Sequence, residues 1–153
     1  MIPEFEPLAQ EEQNLMYGAP IMVAILVAGA DGKIDRSEMR EAIAISSMKK
    51  VKARKELMAF YKEVGTDFED KLKFGISKYP NDPKARYEKI VDELTKINEI
   101  LPKLEKKFAI KFYESLKDFA KRIAEASGGV LGYMAVGYEE SKVVELKMIK
   151  NPG

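Results

Sequence analysis

The sequence predicts an all-α fold, a compact helical domain of about seven helices. Apolar residues recur at spacings of three and four in several segments, the period of a helix face. Helix-start signals, a capping Asp or Thr and prolines at first-turn positions, precede those segments. Strand signals are weak: V-L-G-Y-M-A-V-G at 130–137 is the only stretch that reads as extended, and glycine interrupts it. The length of 153 residues suits one domain. An apolar fraction of 46% allows a core, and a charged fraction of 33% points to a well-solvated helical surface.

Taken in order, Pro3, Pro7 and the early acids predict a loose lead-in and a short helix up to Met16, so that residues 1–18 precede the main helical domain at 19–153. Gly18 and Pro20 break and restart the chain, with Pro20 in a first helical turn. Residues 21–30 are apolar on every side, which predicts a central, enclosed helix. G-A-D-G-K-I-D at 29–35 is a turn, and Asp35 with Glu38 makes a capping box for a helix to about Met48. The basic stretch K-K-V-K-A-R-K leads into a helix with Leu57, Met58, Tyr61 and Val64, stopped by Gly65.

Thr66 or Asp67 caps a helix whose apolar candidates are Phe68, Leu72, Phe74 and Ile76. Asp82 and Pro83 start another, with Tyr87, Ile90, Val91, Leu94, Ile97 and Leu101 on one face. Beyond Pro102, Leu104, Phe108, Phe112, Leu116, Phe119 and Ile123 form the clearest stripe in the chain. Residues 127–137 are a glycine-rich break, and 139–150 reads as a final helix, acids first and lysines late, as the helix dipole prefers.

Composition narrows the chemistry. The chain has no Cys, His or Trp. Thiolate chemistry and the commonest general base are therefore absent, and catalysis would rest on carboxylates, Lys or Tyr. A metal would need oxygen ligands, which favours calcium, magnesium or manganese. A net charge of +1 argues against a broad nucleic-acid surface. The acid-bearing start lacks the pattern of a signal peptide, and the apolar run at 19–30 is shorter than a membrane span, so the expected location is cytoplasmic.

The most informative chemistry is the acidic elbow D-G-K-I-D-R-S-E at 31–38. It resembles the second half of an EF-hand loop, with Gly32, Ile34, Asp35 and Glu38 in register. Aligned that way, Val27 and Gly29 occupy positions where a calcium loop needs oxygen side chains, which excludes the standard loop on ligand count. Two readings stay open. Asp31, Asp35 and Glu38 converge on a weak oxygen site, or Asp31 and Gly32 simply make the turn while Asp35 and Glu38 cap the next helix.

The string I-L-V-A-G-A-D-G-K-I-D-R-S-E-M resembles the signature of the TerB-like, tellurite-resistance-associated family, and I-A-E-A-S-G-G-V-L-G resembles its second elbow. These anchors frame the chain from Ala19 onward. The resemblance implies two pseudo-symmetric helical halves, a cytoplasmic bacterial stress-response or envelope-associated role without established catalysis, and divalent metal held by elbow acids. It carries over to Asp31, Asp35 and Glu38, and more loosely to Glu139 and Glu140. Ser127, Gly128 and Gly129 stand where the second elbow has Ala-Asp-Gly, which removes one carboxylate from a symmetric pair of sites.

Other segments have competing readings. Lys49, Lys50, Lys52, Arg54 and Lys55 form a run that either solvates a helix face or meets anionic lipid or an acidic protein partner. The Phe108, Phe112, Phe119 stripe reads as core, and S-G-G-V-L-G lacks the Lys-Ser/Thr ending of a phosphate loop. The functional expectation is a non-enzymatic stress-associated module with a weak divalent-cation site at the elbow. The alternatives are a metal-independent interaction protein and, third, a carboxylate-metal hydrolase.

Overall fold

A computed structural model of the chain describes residues 1–28, 55–126 and 145–153. Every regular element among these residues is helical. The first, α1 (Gln10–Ala28), starts where the Glu12 carboxylate reaches back to accept from the Ala9 amide at 2.9 Å, half of a capping box. It does not break at Gly18 and Pro20 as expected: one helix runs through both. A proline inside a helix forfeits one backbone bond and costs about 3 kcal/mol. Ile21, Met22, Val23, Ile25, Leu26 and Val27 are all buried by this helix. Burial gains about 1.5–3 kcal/mol for each large aliphatic side chain, so the helix tolerates the proline.

The remaining helices are α2 (Lys55–Gly65), α3 (Phe68–Lys78), α4 (Pro83–Thr95), the single turn α5 (Ile97–Ile100) and α6 (Lys106–Ala126). All five touch α1, which is the axis of the fold and as enclosed as its all-round apolar sequence predicts. The Asp82 side chain caps α4 by accepting from the Ala85 amide at 2.9 Å, with Pro83 in the first turn. The helix that carries Ile97 and Leu101 is not one piece. It ends at Thr95, and α5 and a 3₁₀ turn (Leu101–Lys103) follow. The all-α expectation holds, but the described residues form five helices of eleven or more residues and one single turn, not the expected seven or so.

The α6 stripe, Phe108, Phe112, Leu116, Phe119 and Ile123, is core throughout. Phe60, on α2, sits at the centre of an aromatic cluster with ring centroids 5.9 Å from Phe5, 5.5 Å from Tyr17, 5.0 Å from Tyr61 and 5.2 Å from Phe112. Tyr61 is wholly buried and its hydroxyl lies 2.8 Å from Ser115 Oγ, which donates to the Phe112 carbonyl. Burial holds the Tyr61 hydroxyl well above the ordinary tyrosine pKa.

Both chain ends depart from expectation. The lead-in is not loose: Ile2, Phe5 and Leu8 are buried around a 3₁₀ turn (Pro3–Phe5). Gln13 Nε2 donates to the carbonyls of Phe5 and Leu8, and the Ile2 amide donates to the Tyr17 hydroxyl at 3.0 Å, which satisfies backbone that would otherwise be buried unpaired. The final helix does not reach Lys150. Leu146 turns at φ 48°, and the Ile149 amide closes on the Leu146 carbonyl. That left-handed conformation costs about 1–2 kcal/mol for a residue with a Cβ, and full burial of Leu146 offsets it. Asn98, on α5, clamps this tail by donating to the Met148 carbonyl at 2.8 Å and accepting from the Lys150 amide at 2.7 Å.

Candidate functional site

The elbow residues Asp31, Asp35 and Glu38 lie outside the described residues, as do Glu139 and Glu140. The same holds for Lys49, Lys50, Lys52 and Arg54. Lys55 opens α2, but its side chain is not described. Among the described residues no group of three or more Asp or Glu could hold a metal ion, and no helix is long and apolar enough to cross a membrane.

A different site emerges along α1, a groove of about 1090 Å³ between α3 on one side and α4 with α5 on the other. Leu15, Gly18, Ile21 and Met22 of α1 form its floor, with Ile100 beside them. Two glycines shape it. A Cβ on Gly75 would lie 2.8 Å from Ile25 Cδ1 and 3.4 Å from Ile21 Cγ2, so α3 packs so closely on α1 there that a side chain would require Ile25 to shift. A Cβ on Gly18 would meet no described atom within 4 Å. Gly18 therefore leaves open space in mid-helix, where glycine is about 0.5–1 kcal/mol worse than alanine.

The aromatic at the edge is Phe74, 69% exposed. The stripe that α3 buries is Phe68, Leu72 and Gly75, followed by Tyr79 just past its end. Phe74 comes two positions after Leu72, about 200° around the helix, which turns it outward. The expectation that Phe74 joins the core is corrected on this ground, and Met58 and Tyr87, also expected inside, are exposed too.

Several charged groups around the groove are pinned. Lys103 Nζ donates to Glu12 Oε2 at 2.6 Å, tying the start of α1 to the 3₁₀ turn. The Lys103 hydrogen bond, aided by the Ala9 amide, holds the Glu12 carboxyl below the usual carboxylate range. The Tyr79 hydroxyl donates to Glu93 Oε2 at 2.5 Å, and burial first, then Glu93, keeps that hydroxyl protonated well past the ordinary tyrosine range. Burial pushes the Tyr17 hydroxyl up to about 12, reinforced by its hydrogen bond to Glu63. That same bond lowers the Glu63 carboxyl, which also pairs with the Met1 amino group at 3.2 Å. The groove thus has an apolar floor inside a rim of fixed polar contacts.

Sequence reasoning missed this groove. Two signals pointed to it: an aromatic off the α3 stripe at Phe74, and a glycine in an otherwise apolar helix at Gly18.

No protein-family model, curated protein or solved structure matches the chain.

Proposed function

We propose that this chain is a non-enzymatic helical binding module and that the groove along α1 is its recognition surface. The observation that carries the reading is the open space above Gly18, flanked by the exposed ring of Phe74. An exposed aromatic beside an apolar floor is the composition of interface hot spots. The test is binding of anilinonaphthalene sulfonate, an apolar fluorescent probe, to the native protein. The probe should bind, and Gly18→Leu, which fills the floor, should abolish the signal. Unchanged fluorescence in Gly18→Leu would sink the reading. A membrane-surface role for Lys49, Lys50, Lys52, Arg54 and Lys55 is the competing form of an interaction module, and liposome flotation with Lys49 and Lys50 reversed in charge separates the two.

A second reading, compatible with the first, is a TerB-like, tellurite-resistance-associated stress module with two pseudo-symmetric halves and a weak divalent-cation site. It is supported by the D-G-K-I-D-R-S-E string, which follows within three residues of the enclosed helix α1. Asp31, Asp35 and Glu38 would supply oxygens to calcium, magnesium or manganese, with Glu139 and Glu140 as looser candidates. Titration of each ion against amide chemical shifts tests it. Shifts at 31–38 that saturate by millimolar metal are expected, and no movement there removes the metal from the reading.

A further inference from the structure

We propose that the corner between α5 and α6 is a peptide-recognition site, filled by residues 145–153 of its own chain and able to take the same segment from a second copy. Asn98 takes no part in the groove along α1, so this site is separate from it. Beyond Glu145 the segment forms no helix or strand, and what fixes it is the seat. Asn98 Nδ2 donates to the Met148 carbonyl and Asn98 Oδ1 accepts from the Lys150 amide, main-chain groups two residues apart. A side-chain amide carries a donor and an acceptor side by side, so this contact reads backbone and is indifferent to the side chains it passes. Selectivity comes from Leu146 and Ile149, which are buried, while Glu145, Lys147 and Lys150 around them are exposed. Further along, a Cβ on Gly153 would lie 3.3 Å from Ile110 Cδ1, which brings the segment against α6. Main-chain contacts with spaced apolar anchors are how a bound peptide is held.

The occupant follows from the sequence that fits. The segment in the seat is this chain's own, and a second copy carries the identical one. Its bonds to Asn98 join residues 50 and 52 positions apart, so they form as well between two chains as within one. Exchange of an identical element between copies keeps every contact and needs no new one. The residues between Ala126 and Glu145 span up to about 60 Å when fully extended, enough to reach a neighbour. Leu146 makes leaving easier. Its φ of 48° is a strained conformation that persists only while the seat holds its side chain, and undocking relieves it.

The experiment mixes two variants of the full chain. Asn98→Ala spoils the seat and keeps the segment; Leu146→Ala with Ile149→Ala spoils the segment and keeps the seat. Each variant alone should stay monomeric by light scattering. The mixture should form a one-to-one dimer, because the sound segment of one chain finds its sound seat only on the other. A synthetic peptide of residues 145–153 should bind the segment variant at least ~10-fold more tightly than wild type, whose seat is already filled, and should dissociate the mixed dimer. A mixture that stays monomeric overturns the proposal, whether or not the peptide binds. So does a dimer that resists the peptide, or one that either variant forms alone, since association then lies elsewhere. Circular dichroism and a cooperative melt show that each variant is folded. If Asn98→Ala unfolds, the isosteric Asn98→Asp takes its place, because it too loses the donor to the Met148 carbonyl.

Discussion

Gly18 and Phe60 mark opposite extremes of what one residue contributes. At Gly18 the backbone is helical and the Cβ direction is empty, so Gly18→Ala should stabilise the chain by about 0.5–1 kcal/mol through lower unfolded-state entropy and better helix propensity. A fall in stability on denaturant titration would show that the space is already filled. Phe60 is wholly buried and touches four other rings. Phe60→Ala should cost about 3–5 kcal/mol, from lost transfer energy and the cavity left behind. A loss under about 1 kcal/mol would mean that the cluster collapses onto the space. Neither role is readable from residue type. Both residues sit in apolar helical sequence, and only the neighbours supplied by other helices separate a void from a core.

At the scale of elements, caps and stripes were legible because they are local. Asp82 with Pro83 starts α4 as its position predicts, and the α6 residues spaced by three and four all face the core. The continuity of α1 through Pro20 was not legible, since the burial that outweighs the proline comes from α2, α3, α4 and α6. The tail is likewise held from a distance. Asn98→Ala should remove both hydrogen bonds of the clamp and lower stability by about 1–2 kcal/mol. Hydrogen exchange at the Lys150 amide should quicken well beyond that of α6 amides. Equal protection in wild type and variant would show that burial of Leu146 and Ile149 alone retains the tail.

At the scale of the whole molecule, folding shifts two carboxyls and three tyrosines among the described residues, and each shift ties stability to pH. Glu12 and Glu63 titrate below their unfolded values in the folded chain. Their contribution is therefore fully present above the unfolded carboxylate pKa of about 4.3 and is lost as pH falls through the lower folded values. Urea midpoints should drop between pH 5 and pH 3, and Glu12→Gln should flatten part of that drop. A Glu12→Gln profile parallel to wild type would exclude the Lys103 contact as a source. Tyr17 has the opposite sign. Its pKa is raised to about 12, so its contribution is complete below the unfolded value of about 10 and is lost as pH rises through 12. Absorbance at 295 nm should show the Tyr17, Tyr61 and Tyr79 hydroxyls ionising above the ordinary tyrosine value of about 10.

By itself the sequence determined the helical class, the enclosure of α1, the capping at Asp82 and the inward stripe of α6, because each depends on residues within a few turns of one another. It also determined that any metal must sit on oxygen ligands, since the chain contains neither Cys nor His. Tertiary structure alone decided that residues 1–9 are tied into the core, that Pro20 interrupts nothing and that Phe74 faces a groove. Those outcomes depend on which surfaces meet across long separations, as Gly75 meets Ile25 and Lys103 meets Glu12. Local spacing carries no record of such meetings.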